Sequence, residues 1–171
     1  STVENPQEHF KAVTYDGNGG TNNIETGFKP DFVWVKDRDR SDTYHQLYDS
    51  LRGEGKVIFS NDKLAEYDRA DGLTSFNSNG FSLGSHSHNN GNNERFVAWS
   101  WKAGGAPEAG FQDNDAMVDE EAALCSDIAA KAGASITPFA MSVNTETGFS
   151  IIKYKGTGAV ATLPHGLTKA P

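Results

Sequence analysis

Strict alternation dominates the first hundred residues. In 10–15 (FKAVTY), Phe10, Ala12 and Thr14 point to one side of an extended segment, and Lys11, Val13 and Tyr15 to the other. Residues 31–36 (DFVWVK) are β-branched and aromatic with no breaker, which predicts a strand, and 44–48 (YHQLY) alternates in the same way. Short strands are expected at 57–59, 73–76 and 80–83, the last two joined by a hairpin turn at 77–80. Residues 96–101 (FVAWSW) are the most apolar run and predict a central strand. The polar stretches read as a charged turn (37–42), a turn (50–55), a loop or single helical turn closed by Gly72 (62–71) and a loop (84–94). Strands at spacings of roughly 8–12 residues between Gly, Asn and Asp turns predict a mainly β protein. The expected architecture is an antiparallel β-sandwich, with a concanavalin-like jelly roll as the first choice.

The period then changes. Residues 102–110 (KAGGAPEAG) have linker composition. Residues 113–132 predict one amphipathic helix. Asp113 or Asn114 would cap it, acidic residues crowd its first turns, Met117, Leu124, Ile128 and Ala132 form a stripe, and Gly133 ends it. Packing on the sandwich is the preferred role for this helix over binding a partner.

A further regularity spans the chain. At one offset, Phe10, Tyr15, Gly17, Gly19 and Gly27 recur as Phe149, Tyr154, Gly156, Gly158 and Gly166, with Val13, Ile24 and Phe28 meeting Ile152, Leu163 and Leu167. Five identities in so short a window exceed the roughly one expected by chance, and they fall on strand and turn positions. The expected organisation is a first β-sandwich repeat at 1–107, a linker with the helix at 108–139, and the first strands of a second repeat at 140–171. The native polypeptide is accordingly expected to be longer.

Charge narrows the partners. A net charge of −8 and a pI of about 5.0 repel phosphate backbones and anionic bilayers, so neither nucleic acid nor membrane insertion is expected. No apolar run approaches the ~18 residues of a spanning helix, and 1–10 does not read as a signal peptide. The single cysteine, Cys125, excludes an internal disulfide and a Cys-based zinc site. It reads as a small buried helix residue whose acidic neighbours raise its pKa. Gly17–Gly20 precede polar turn residues instead of a helix, so phosphate binding is not supported.

The ordered motifs F-x-x-V-x-Y-x-G-N-G-G-T (10–21), G-F-x-P-D-F-V-W-V-K (27–36), D-S-L-R-G (49–53), T-S-F-x-S-x-G-F-S-L-G (74–84), V-A-W-S-W-K-A-G-G-A-P (97–107) and G-F-S-I-I-K-Y-K-G-T-G (148–158) resemble a repeat domain of bacteriophage virion structural proteins, tail fibres among them. The resemblance implies a lectin-like β-sandwich used as a building block on the phage particle. The expected role is structural and adhesive, assembling with other virion proteins and with copies of itself, often as a trimer in fibres, and attaching to a host surface; the alternative is a carbohydrate-binding, lectin-like module whose ligand is a host cell-surface polysaccharide. The resemblance brings no catalytic residues.

Several residues carry candidate chemistry. In 85–94 (SHSHNNGNNE), His86 and His88 have one parity and could share a divalent ion with Asn92 or Glu94. The amides of Asn90, Asn92 and Asn93 suit a sugar or receptor, and a plain solvated loop is the simplest reading. Asp37, Asp39 and Asp42 raise the expectation of Ca2+, against which Arg38 and Arg40 favour a self-paired hairpin tip. Asp49 and Arg52 are expected to pair and fix a turn. Trp34, Trp99 and Trp101 are expected in the core in preference to a sugar-stacking platform. Tyr44, Tyr48 and Tyr67 are the exposed candidates for contact. A glycoside hydrolase using Glu66, Asp68 or Glu94 ranks last, because none sits in an apolar strand context that raises a pKa.

Overall fold

The computed structural model describes residues 3–106 and 113–169; the 107–112 part of the expected linker lies outside the described residues. The chain divides into two compact units, one over 4–102 and one from Ala103 onward.

The first unit is all antiparallel strand pairing. Its elements are β1 (Phe10–Asp16), β2 (Asn22–Glu25), β3 (Phe32–Asp37), β4 (Gln46–Asp49), β5 (Lys56–Phe59), β6 (Tyr67–Asp68), β7 (Leu73–Asn77), β8 (Gly80–Leu83), a single helical turn α1 (Ser87–Asn90) and β9 (Arg95–Trp101). Six strands form one sheet in the order β1-β9-β3-β4-β5-β6, and three form another in the order β2-β8-β7. The apolar run 96–101 takes a central place, between β1 and β3. Both sheets feed one core: Val33, Val35, Tyr48, Phe96 and Ala98 from the larger, Ile24, Leu73, Phe81 and Leu83 from the smaller. Full burial of side chains of this size contributes about 1.5–3 kcal/mol each.

Two expectations are corrected here. Trp34, Trp99 and Trp101 are not core residues; they are half-buried on the opposite side of the large sheet from Val33, Val35, Phe96 and Ala98. There Trp34 meets Trp99 edge-on at 5.8 Å, and Trp101 lies between Phe10 and Phe32. Because β9 is apolar on both sides, hydrophobicity cannot choose its orientation. Register with β3, whose valines must face the small sheet, decides it. Tyr48, expected to be exposed, is fully buried, its hydroxyl donating to Gln46 Oε1 at 2.7 Å.

In the second unit, β10 (Asp115–Val118), β11 (Glu121–Leu124), α2 (Cys125–Ala132), β12 (Ala140–Asn144) and β13 (Phe149–Lys153) build a four-stranded sheet ordered β11-β10-β12-β13, with α2 following β11. The β10–β12 pair is parallel and the other two pairs are antiparallel. Most of the helix expected at 113–132 is therefore a hairpin. Asp119 and Glu120 turn it at φ 51° and 70°, a two-residue turn that normally announces itself with Asn-Gly. Without that signal, the Met117–Leu124 spacing reads as helical. The helix that does form keeps its expected end, at Gly133 with φ 60°. Asn114 caps it from a distance, accepting the Ser126 amide at 2.7 Å through Oδ1. Cys125 is fully buried and donates to the Asp115 carbonyl. Burial, reinforced by the Asp115 charge, pushes its thiol up to about 11.

Segments 10–28 and 149–167 share backbone demands. Gly19 and Gly158 sit at φ 66° and 73°, Gly27 and Gly166 at 92° and 73°, a region costly for other residues. Their second halves differ. Asn22–Glu25 pairs with β8, whereas 161–164 form no strand and Thr162 instead bonds Ser135 and the Ile136 amide. Among the described residues, no helix is long and apolar enough to cross a membrane.

Candidate functional site

The His/Asn-rich loop folds inward. Asn89 and Asn90 are fully buried. Tyr15 donates to the Asn89 carbonyl (2.7 Å), Asn89 Nδ2 to the Tyr48 hydroxyl (3.1 Å), and Gln46 Nε2 to the His88 carbonyl (2.7 Å). Burial pushes the phenols of Tyr15 and Tyr48 upward. Asn90 is a latch. Its Oδ1 accepts from the Asn18 amide and Asn22 Nδ2, while its Nδ2 donates to Asn18 Oδ1, Gly20 O and Gly84 O. Gly17 permits this closure, because a Cβ there would lie 2.0 Å from Gly91 O. Asn90 is thus placed as scaffold, and only Asn92 and Asn93 of the candidate amides are exposed.

The acidic turn at 37–42 is neutralised partly from within, by Arg40 on Asp42, and partly from β9, by Arg95 on Asp39. Asp37 Oδ1 accepts the amides of Asp39 and Arg40. Asp39 receives the Arg95 guanidinium and amide, and Asp42 receives Arg40. These bonds hold both carboxyls below their usual range. Glu94 lies 3.7 Å from Arg40. These residues do not fit a calcium ion: guanidinium groups take the Asp39 and Asp42 carboxylates, Asp37 keeps only the buried Oδ2 without a partner, and among the described residues no three His, Cys, Asp or Glu converge on a metal position.

A different constellation forms where β5 and β6 meet the 84–94 loop. Phe59 is its floor. Tyr44 and Tyr67, both exposed, pack edge-on against it at 5.3 and 6.1 Å, and the Arg69 guanidinium lies 5.8 Å from its ring centre. Asp62 accepts the Tyr44 hydroxyl, which raises that phenol's pKa. Backbone bonds fix the arginine: Arg69 N to Gly55 O, Gly72 N to Arg69 O, and His86 N to Asp71 O, which ties the histidine loop to the arginine turn. His86 and His88 stack edge-to-face at 5.1 Å. His86 Nδ1 accepts the His88 amide at 3.2 Å as the α1 cap, so its proton sits on Nε2. Burial lowers His86 to about 4, with Arg69 adding to the shift, and lowers His88 in the same direction.

The structure thus brings His86 and His88 within electrostatic reach of Arg69, which meets Tyr44 through the shared Phe59 ring; Asp37 and Asp42 also act on His88, and Asn92, Asn93, Asp39 and Glu94 lie outside the cluster. Arg69 is the member that sequence reading missed. Its segment, 62–71, is a polar loop, and only the fold shows which of its charges lack a partner. One consequence is measurable. A histidine held below its ordinary pKa stabilises the fold fully above about pH 6.5, and that stability is lost as pH falls toward 4. The urea midpoint, followed by tryptophan fluorescence, should fall over that window, and His86→Gln should flatten the fall. An unchanged slope would remove His86 as its source.

In the second unit, a groove of about 940 Å³ is floored by Val118, Ala122, Ala123, Ile128 and Leu167, with Lys131 and His165 at its lining. Asp127 and Lys169 also line it. Compared with known proteins, residues 5–171 match the model of a family described as Domain of unknown function (DUF7483). No curated protein and no solved structure matches the chain.

Proposed function

We propose that this chain, which belongs to the DUF7483 family of domains of unknown function, is a non-enzymatic structural and attachment module of a bacteriophage virion, part of a tail fibre or similar appendage. Its first unit is read as a concanavalin-like jelly-roll β-sandwich and its second as the start of a repeat. The observation that carries the reading is the use made of polar chemistry. Asp37, Asp39, Asp42, Asp49, Glu66, Asp68 and Glu94 are each engaged in a cap or an ion pair, and Asn89 and Asn90 are locked inside. Groups held this way build a rigid scaffold; acid–base chemistry needs them poised over a cleft. What the first unit turns outward is contact surface: the half-buried tryptophan side of the large sheet, suited to other virion proteins or copies of itself, and the tyrosines around Phe59, suited to a host polysaccharide.

Sedimentation of the purified chain and immunodetection on purified phage particles test this. A trimer or other oligomer, and label on the particle surface, are the expected results. A monomer at all concentrations together with unlabelled particles would sink the reading. A second reading, a carbohydrate-binding module outside a virion, draws on the Tyr44–Phe59–Tyr67 cluster. Glycan binding by the chain with no particle association would favour it.

A further inference from the structure

We propose that the Arg69 cluster is a receptor for an acidic sugar: the guanidinium takes the carboxylate of a uronic-acid residue while Tyr44 and Tyr67 hold the flanking pyranose rings. The first support is an imbalance of charge. Four other basic residues of the surrounding elements have carboxylate partners: Arg52 with Asp49 and Glu66, Lys56 with Asp68, Arg40 with Asp42 and Glu94, Arg95 with Asp39, whereas Arg38 and Lys63 are exposed to water. Arg69 is half-buried, and among the described residues no carboxylate lies within ion-pair distance of it. Its contacts are the Phe59 ring and one long bond of 3.5 Å to Gln46 Oε1. A guanidinium withdrawn from water without a counter-charge suits a planar bidentate anion.

The second support is the shape of the surroundings. Phe59, Tyr44 and Tyr67 form an aromatic corner, two of its rings exposed, matching the apolar C–H face of a pyranose. His86 presents Nε2–H, a neutral donor that suits a hydroxyl or carboxylate oxygen. The third support is the size of the charge. With a net charge of −8, one half-buried guanidinium, and the Asp62 carboxylate on the Tyr44 hydroxyl, the site matches one carboxylate per sugar in a chain that also carries neutral residues; a phosphate dianion would demand a second cation. Asp71, exposed beside His86, sets the same limit. The anion site follows from the geometry alone. Choosing a saccharide to fill it rests on the attachment reading.

Titration of the full chain with a panel of glucuronate-, galacturonate- and mannuronate-containing hexasaccharides tests the assignment, each member matched by its carboxyl-reduced form. At least one acidic member should bind, and carboxyl reduction should weaken it about tenfold or more. Arg69→Gln should abolish the difference between the two forms. Tyr67→Ala, at an exposed position whose folding is checked by the urea midpoint, should weaken both forms. No binding by any member, equal binding of a reduced and an unreduced pair, or wild-type discrimination by Arg69→Gln would overturn the site. Free acetate and glucuronate separate a bare anion site from a sugar site: acetate competing as well as glucuronate would overturn the sugar. Particle association without uronate binding removes only this inference, whereas uronate binding without particle association removes only the virion reading.

Discussion

Asn90→Ala should destabilise the first unit by on the order of 3 kcal/mol, although Asn90 is a small polar residue in a loop that the sequence presents as solvated. Removing its amide leaves the Asn18 amide and the Gly20 and Gly84 carbonyls, all in partly buried bonds, without their partner. Each stranded group costs about 1–3 kcal/mol, partly relieved by any water that enters. Asn92→Ala, two positions on and exposed, should change stability by about 0.5 kcal/mol at most. All three tryptophans lie within 4–102, so fluorescence during urea unfolding reports on this unit alone. Equal midpoints for the two variants would show that Asn90 is not a latch. The result also bears on function, because any loss of ligand binding in Asn90→Ala would then follow from loosening of the scaffold.

Arg52→Met is expected to cost about 3 kcal/mol, by a different route. Arg52 Nε reaches Asp49 Oδ2, its remaining nitrogens bond Leu47 O and Glu66, and the Asp49 side chain is only 7% exposed. Deleting the cation leaves a buried carboxylate unpaired, which is the expensive half of breaking such a pair. The double variant Arg52→Met/Asp49→Leu should recover part of the loss, since no charge then remains buried. If the double variant is as unstable as the sum of the two single variants, the pair carries no coupling. The turn would then be held by packing alone.

These two sites differ in how far the sequence exposes them. Asp49 and Arg52 are three residues apart within a turn, so their pairing is a local matter and legible. Asn90 bonds Asn18 and Asn22, about seventy residues away. Its amide looks the same in sequence as those of Asn92 and Asn93, which point to solvent. The tryptophans fail to read for another reason. A strand apolar on both sides has no pattern to orient it, and the valines of β3 fix it only after pairing. The hairpin at 115–124 was hidden because Asp119 and Glu120 adopt positive φ without the Gly or Asn that usually marks such a turn.

By itself, then, the sequence determined what short-range rules control: a mainly β chain, most strand positions, the central place of 96–101, the Gly133 helix end, the shared glycine conformations of 10–28 and 149–167, and the Arg40–Asp42 pair in the turn at 37–42. Alternation, breakers and neighbouring charges act over a few residues, so the order of letters suffices to read them. Tertiary structure alone decided which face of each two-sided strand looks inward, that Asn89 and Asn90 close the interior, and that Arg69 lies over Phe59, within electrostatic reach of His86, without a carboxylate partner. Those outcomes depend on which distant groups arrive together once the two sheets close on one core. Burial then turns an ordinary arginine into one that still lacks its counter-charge.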